Sequence, residues 1–393
     1  MDSFDDIRSY RQADYQAAMT RLWNQPQFLS LLPKVPFVKD AAQLREQALA
    51  LPSLQAFHEH VIIPLLSQLS AIGTSSLSQD GLENLDKSSG YLFISNHRDI
   101  IMDSIQLNCL MCRQGMEASE TAIGDNLLIQ PWIADLVRLS KCFIVRRGLS
   151  VKEQMTASRQ LSAYIRDSVC QRGQSIWLAQ REGRAKTSDD RTQKSILKML
   201  IMSGSGNILS DLASLNPVAL SISYEYDPCD YLKAKELQLK RDRPDFHKKP
   251  EDDLLSMTTG IMGAKGRVHY HASPCLGGEL LKLDGTLPKN ELLEQITALL
   301  DREIHAGYRL YPGNYAALEL LSRLPGHEEL AASEASTGQP DCTAEEKRLF
   351  ENYIERQVAR IDLPDSEKDS GFLREKLLEM YANPLINFKK ATI

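Results

Sequence analysis

The sequence has no long hydrophobic run. The longest is the segment 61–66, VIIPLL, which is far shorter than the ~20 apolar residues of a membrane-spanning helix. The first residues are acidic, and they show neither the basic region nor the apolar region of a secretory signal peptide. We therefore expect a cytoplasmic protein; peripheral contact with the cytoplasmic face of a membrane is the alternative.

Cysteine is also sparse. The chain has 7 cysteines, and the close pair among them is Cys109 and Cys112. A single CxxC pair is a weak signal for metal binding, and its apolar neighbours predict a buried helix instead. The low content excludes a small disulfide scaffold and suits a reducing compartment. We expect no metal site.

Neither sign of charge dominates the whole chain. Its 46 Lys and Arg residues compare with 52 Asp and Glu residues, a net charge of −6 at pH 7. Residues 138–198 are different, since fourteen basic and five acidic residues give them a net charge of +9. The acidic total and the lack of an aromatic and basic recognition module argue against nucleic-acid binding.

Short apolar runs alternate with helical patterns from about residue 88 onward. The runs predict buried strands at 91–94, 142–145, 175–178 and 218–224. Helical patterns at 99–115, 151–169 and 196–203 lie between them. The alternation predicts an α/β fold with a mostly parallel central sheet and flanking helices.

The two ends of the chain differ from this central part. We expect a helical N-terminal region at 1–85, an α/β domain at 86–325 and a helical C-terminal extension at 341–393. The charged residues 227–253 are predicted to lie on the surface, and alternation at 267–273 indicates a half-exposed strand.

A histidine follows the first predicted strand. His97 stands at the carboxyl end of that strand, where open α/β sheets bind their ligands. A carboxylate bonded to one ring nitrogen leaves the other free to accept a proton, and Asp99 and Asp103 are both close in sequence. If the helix begins near Asp99, the two carboxylates share one face. In the structural alternative, Asp99 caps the helix and Asp103 is a solvated helix residue.

Basic residues follow two other predicted strands. The candidates for binding an anion are Arg146, Arg147, Glu182, Gly183, Arg184 and Lys186. The glycine permits a tight turn, and cations at strand ends suit a phosphate-like group. Parallel crossovers would bring these ends to one edge of the sheet. The alternative is a set of helices with solvated basic faces.

Four segments together resemble the motifs of the glycerolipid acyltransferase family, which includes glycerol-3-phosphate and 1-acylglycerol-3-phosphate acyltransferases. Asn96 and His97 with Asp103 resemble the first motif. The segments 124–128 and 143–147 resemble the second, 182–184 the third and 217–225 the fourth. The resemblance covers about residues 88–226, and four motifs in family order are more specific than any one alone.

The chain departs from the family pattern at two points and so resembles a divergent branch. Five residues separate His97 from Asp103, where the family has four, and one residue is missing between Gly183 and Arg184. Either a one-residue bulge brings Asp103 to the histidine, or Asp99 has taken the orienting role.

The resemblance implies an O-acyltransferase of phospholipid synthesis. His97 would be the general base on an acceptor hydroxyl, and Asp103 the first choice, Asp99 the second, for orienting it. Arg146, Arg147, Arg184 and Lys186 would hold the acceptor phosphate, Glu182 would orient the acceptor or the arginines, and Asn96 would position the histidine loop.

The resemblance also implies partners. The donor would be an acyl thioester, either acyl-CoA or acyl carrier protein, with no other cofactor, and the acceptor a glycerol-phosphate-type lipid at a membrane surface. The basic segment 138–198 and the apolar stretch 23–38 are candidates for membrane contact. The alternatives are a His-dependent thioester or phosphoester hydrolase and a non-catalytic lipid-binding protein.

Overall fold

The computed structural model describes residues 4–35, 38–330 and 342–392, and a seven-stranded sheet forms the centre of this part of the chain. Its strands are β1 (Thr74–Asp80), β2 (Leu92–Ser95), β3 (Glu120–Gly124), β4 (Cys142–Val145), β5 (Ile176–Ala179), β6 (Pro217–Tyr224) and β7 (Gly266–Ala272). Their order across the sheet is β1-β7-β6-β2-β5-β3-β4.

Five neighbouring strands of the sheet are parallel. Strand β2 pairs with β5 and β6, and β3 pairs with β4 and β5, all in parallel. Strand β7 is antiparallel to β6, and β1 is parallel to β7. The predicted α/β fold with a mostly parallel sheet is confirmed, and the carboxyl ends of β2 to β6 lie at one edge.

Helices cover both faces of the sheet and both ends of the chain. In the first half they are α1 (Gln12–Trp23), α2 (Pro26–Leu31), α3 (Ala41–Ala50), α4 (Leu54–Phe57), α5 (Ile63–Ala71), α6 (Met102–Arg113), α7 (Pro131–Leu139) and α8 (Val151–Arg166). In the second half they are α9 (Lys194–Leu200), α10 (Ile208–Ala213), α11 (Asp230–Asp242), α12 (Pro250–Met262), α13 (Gly277–Leu280), α14 (Lys289–Ala306), α15 (Pro312–Ser322), α16 (Ala344–Arg360) and α17 (Ser370–Thr392). Within the described ranges, no helix has a stretch long and apolar enough to cross a bilayer.

The hydrophobic core has a layer on each face of the sheet. Alternate residues of β2 point to opposite sides, so Leu92 and Ile94 pack with helices α8, α9 and α14, while Phe93 packs with α6. Helices α1 to α5 form a further core with α7, and α15 to α17 form another with α11.

One local expectation was incomplete, and another was wrong. The region 1–85 is mostly helical but ends in strand β1, whose polar sequence TSSLSQD hides it from a search for apolar runs. The segment 227–253 is not confined to the surface, because Asp230, Lys233 and Glu236 of α11 are buried beneath the C-terminal helices. The three domain boundaries remain predictions, and most of the interval between 325 and 341 lies outside the described residues.

Candidate active site

The site is built on the loop that follows β2. Asn96 extends the pairing of β2 with β6, because its side-chain amide donates to the Ile222 carbonyl at 2.9 Å and accepts from the Ile222 amide at 2.8 Å. Asn96 is fully buried, so both groups would be costly to leave unpaired. The asparagine therefore fixes the start of the histidine loop to a central strand.

His97 and Asp103 form a hydrogen-bonded pair. The His97 Nδ1 atom lies 2.8 Å from Asp103 Oδ2, and the same oxygen accepts the backbone N–H groups of Arg98 at 2.7 Å and Asp99 at 3.1 Å. The His97 ring also makes an edge contact with Trp177, with ring centroids 5.6 Å apart. With Nδ1 bonded to the carboxylate, Nε2 is left to accept a proton.

The helix start differs from the sequence expectation. Helix α6 begins at Met102, and Asp99 lies before it, so the two carboxylates do not share a helix face. Asp99 Oδ1 accepts the backbone N–H groups of Ile101 at 2.9 Å and Met102 at 2.8 Å. Asp99 thus caps the helix, and the extra residue of the motif is taken up in the loop while Asp103 reaches the histidine.

The carboxyl groups of Asp99 and Asp103 are both shielded from solvent. Asp99 and Asp103 are almost fully buried, and desolvation and the neighbouring Asp103 raise the pKa of the Asp99 carboxyl. Asp103 lies in the first turn of α6, where the positive end of the helix dipole favours a carboxylate. Hydrogen bonds from His97 and two backbone N–H groups hold the Asp103 carboxylate beside the imidazole.

Arg98 ties the histidine loop to the loop after β5. Its Nη2 lies 2.8 Å from Asp190 Oδ2, and Asp190 also accepts the Tyr308 hydroxyl at 2.7 Å. Arg98 is 6% exposed. Removing one partner of a buried ion pair of this kind strongly destabilises the folded protein, because the other charge is left buried without compensation. No local sequence pattern indicates this contact, because Arg98 and Asp190 are far apart in the chain.

A cleft of about 630 Å³ runs along the carboxyl edge of the sheet. His97 lies on its wall together with six cations, Arg146, Arg147, Arg181, Arg184, Lys186 and Lys248. Two carboxylates, Glu182 and Asp253, line it as well. The excess of positive charge suits an anionic ligand.

Arg184 is the most buried of these cations. It is 7% exposed, and its Nη1 has no hydrogen-bond partner among the residues that the structure describes. Gly183 before it has a φ of +70°, a left-handed conformation that turns the chain into the cleft. A buried guanidinium with an unpaired N–H is costly unless a ligand accepts from it.

Arg146 and Arg147 lie at the end of β4 and are about half exposed. Arg146 pairs with Asp6 of the N-terminal segment, and Arg147 pairs with Glu182. Glu182 thus contacts one of the arginines, as the sequence analysis allowed. A Cβ built on Gly124 would lie 2.7 Å from Arg147 Nε, so this glycine lets the arginine lie close to the end of β3.

Lys186 lies deeper than its exposed neighbours. Its Nζ pairs with Glu236 Oε2 of helix α11 at 2.7 Å. Desolvation and the nearby Arg184 lower the pKa of the Lys186 ammonium to about 8, although Glu236 opposes the shift. The lysine is therefore a cation at neutral pH that loses its charge in mildly alkaline solution.

The rest of the cleft is apolar. Its hydrophobic wall comes from β3, β4, β5, helices α8 and α9 and the N-terminal segment: Ile7, Ala122, Ile144, Val145, Leu161, Leu178, Ile196 and Met199. The Ile144 amide donates to the Ile7 carbonyl at 2.8 Å, which places the N-terminal segment along the outer edge of β4. The cleft thus joins a basic region to a hydrophobic one.

Among the described residues, one grouping has the geometry to hold a metal ion: His327, Glu375 and Glu379. Both of its carboxylates already pair with the ammonium of Lys376. None of these residues lines the cleft. Cys109 and Cys112 are free thiols on helix α6.

Seven of the site residues selected from the sequence line the cleft, but other residues that line it were not selected. Those not selected include Arg181, Lys248 and Trp177, and the N-terminal Ile7. Arg181 directly precedes the third motif, so its position in the sequence could have identified it as a cleft residue. Ile7 and Lys248 lie outside every motif, and the fold alone brings them to the site.

The α/β sheet thus carries a His–Asp pair beside a basic cleft. Residues 77–215 match the family model described as Acyltransferase. The match covers about a third of the chain, and the resemblance to an acyltransferase family that the sequence predicted is confirmed.

Two further comparisons were made. A crystal structure of the 1-acyl-sn-glycerophosphate acyltransferase PlsC from Thermotoga maritima is similar at 11% identity, covering 74% of this chain and 95% of that chain, with a TM-score of 0.37. A similarity at this level carries no information about the substrate of this chain. Among curated proteins, none matches the chain significantly.

Proposed function

We propose that the protein transfers a fatty acyl group from an acyl thioester to a hydroxyl of a glycerol-phosphate-type acceptor. The observation that carries the proposal is the buried, unpaired N–H of Arg184 in the same cleft as His97. A phosphate accepts from a guanidinium strongly and would satisfy this group. The apolar wall of the same cleft suits an acyl chain.

His97 acts as the general base in this reaction. Its Nε2 takes the proton of the acceptor hydroxyl as the oxygen attacks the thioester carbonyl, and Asp103 stabilises the imidazolium that forms. The carbon–sulfur bond then breaks, and the imidazolium returns the proton to the leaving thiolate. No acyl-enzyme is required, and the donor is acyl-CoA or acyl carrier protein.

The cations divide the binding work. Arg184 and Lys186 lie deepest and contact the acceptor phosphate. Arg146 and Arg147 are more exposed and already pair with carboxylates, so they add positive charge around the entrance. Each charge-assisted contact contributes about 1.5–3 kcal/mol to binding or transition-state stabilisation.

The test is to incubate purified protein with labelled acyl thioester and a panel of acceptors, and to identify the products by mass. An acylated acceptor supports the proposal, whereas free fatty acid alone would indicate a hydrolase. The H97A variant should lose transfer while its thermal unfolding stays close to that of the wild type. Wild-type turnover in H97A would refute the role of the histidine.

Arg184 is tested separately through the acceptor dependence. R184M should lower kcat/KM for a phosphorylated acceptor by about 10- to 100-fold. R184K, which keeps the charge but not the planar fork, should recover part of the loss. An unchanged acceptor KM and kcat in both variants would exclude a phosphate contact.

Membrane contact is also part of the proposal, and it uses part of the predicted segment 138–198 but not the predicted apolar stretch 23–38. Trp23, Phe28 and Leu32 of the apolar stretch pack inside the N-terminal core, and Phe37 lies outside the described residues. Exposed apolar side chains lie instead next to cleft residues in sequence: Ile129, Val151, Met155, Leu254 and Leu255. We assign these five residues, the apolar rim, as the surface that contacts lipid.

The rim can be tested by sedimentation with vesicles that contain anionic phospholipid. V151S/M155S should weaken binding, because Val151 is 80% exposed and Met155 59% exposed beside the cleft. L281S/L349S is the matched control, since both leucines are similarly exposed but neither lines the cleft. Equal binding by the two double variants would exclude the rim.

A further inference from the structure

A buried lysine lies behind the histidine loop. Lys233 of helix α11 is 2% exposed, and it pairs with the buried carboxylate of Asp227. Its Nζ also donates to the backbone carbonyl of Arg98 at 3.0 Å. Arg98 directly follows His97, so the ammonium holds the backbone of the histidine loop.

The peptide unit between Arg98 and Asp99 is bonded at both ends. Its carbonyl accepts from Lys233, and its N–H donates to Asp103 Oδ2 at 3.1 Å. Because a peptide unit is planar, fixing the direction of the carbonyl also fixes the direction of the N–H. Lys233 therefore helps to set the position of the oxygen that accepts from His97.

The C-terminal helices hold Lys233 and its partner in place. The Asp227 amide donates to the Tyr381 hydroxyl at 3.1 Å, and this hydroxyl donates to Asp230 at 2.8 Å. Tyr353 donates to the same carboxylate at 2.5 Å. A continuous set of hydrogen bonds thus runs from helices α16 and α17 to the histidine loop.

We propose that Lys233 is a positioning residue for catalysis, acting through the Arg98–Asp99 peptide to hold Asp103 and His97 in their reactive geometry. The inference rests on the proposed acyl transfer. Lys233 is not among the residues that line the cleft, so we expect it to act on catalysis without contacting the substrate. Its loss should therefore lower kcat and leave the KM of both substrates nearly unchanged.

Three variants separate positioning from stability. K233M removes the ammonium but leaves Asp227 buried and unpaired, so both thermal stability and kcat should fall. K233M/D227N removes both charges, so stability should recover towards that of the wild type. D227N alone keeps the Lys233 bond to the Arg98 carbonyl and should keep most of the activity.

The expected result is that kcat falls on the order of 10- to 100-fold in K233M and stays low in K233M/D227N, a loss typical of a misplaced catalytic group. R172M is the matched control, because it leaves buried Glu120 without its arginine at the opposite edge of the sheet. R172M should lose stability but keep kcat.

Two outcomes overturn the proposal. Recovery of kcat together with stability in K233M/D227N would show a purely structural role, and so would an unchanged kcat in K233M. If the wild-type protein shows no acyl transfer with any donor and acceptor, the proposed function itself fails. The wild-type measurement thus distinguishes the two failures.

Discussion

The charge state of a single lysine sets how the cleft responds to pH. Lys186 has a pKa near 8 because burial and Arg184 disfavour its ammonium form. Below that pH the lysine is charged and can contact an anionic acceptor. Above it the cleft loses one cation beside the most buried guanidinium.

The first prediction concerns the alkaline limb of the activity profile. Acceptor kcat/KM should decline as pH rises through about 8, since this parameter reports the free enzyme. K186R keeps its charge throughout the range and should move this decline to higher pH. A decline at the same pH in K186R would show that Lys186 is not the titrating group.

The site residues that the sequence analysis identified most successfully are those near the ends of strands. The motif residues Asn96, His97, Asp103 and Arg184 follow apolar strands, and the parallel sheet brings them to one edge. The roles of these residues in catalysis remain predictions. The contacts of Arg98 and Lys233 were not predictable, because their partners depend on how distant segments pack.

At the scale of the element, helix α12 packs very closely against the histidine loop. A Cβ built on Gly260 would lie 1.8 Å from Asp99 Oδ2. This oxygen faces α12, whereas the other carboxylate oxygen, Oδ1, caps helix α6. A glycine at this position allows the helix to approach the loop. The predicted surface segment 227–253 includes only the first residues of α12, so the sequence analysis made no prediction about the contact between Gly260 and Asp99.

The second prediction reverses a general rule. Replacing a helical glycine by alanine usually stabilises a helix by about 1 kcal/mol. G260A should instead lower both the melting temperature and kcat, because the methyl group displaces the Asp99 cap.

G278A is the control for this prediction, since a Cβ at Gly278 of helix α13 meets no atom within 4 Å. Its stability should be unchanged or slightly raised in the same thermal scan. If G260A behaves like G278A, the close contact between α12 and Asp99 is not important for the site.

The strands show why some elements were predicted and others missed. Strands β2, β4, β5 and β6 consist mainly of apolar residues because most of their side chains are buried on both faces of the sheet. Strand β3 begins with Glu120, whose buried carboxylate accepts from Ser9, Tyr164 and Arg172. Because those partners come from three other parts of the chain, the local sequence of β3 does not show that Glu120 is buried, and the segment resembles a loop.

At the scale of the whole molecule, a buried histidine couples stability to pH. Burial lowers the pKa of His58 to about 4, although its ring N–H donates to the Leu139 carbonyl. An imidazole in the unfolded chain titrates near ~6.5. Between these two values the unfolded chain binds the extra proton, so folding weakens as pH falls.

The third prediction follows from that sign. The free energy of unfolding should be constant above about pH 6.5 and decrease towards pH 4 by up to about 3 kcal/mol from this group. Urea titrations at several pH values measure the decrease. H58Q should flatten it.

H60Q is the matched control, because His60 lies two residues away and is exposed. Its variant should keep the pH dependence of the wild type. If the free energy of unfolding of H58Q depends on pH as it does in the wild type, a group other than His58 is responsible for the decrease.

The pairing of β1 with β7 has a consequence for synthesis of the chain. Ser78 and His269 meet in this pair although they are 191 residues apart. At a translation rate of 5–20 residues per second, β1 waits roughly 10–40 s for its partner to leave the ribosome. During that interval the backbone groups of β1 that later bond to β7 have no partner, so the nascent chain is exposed to aggregation and to capture by chaperones.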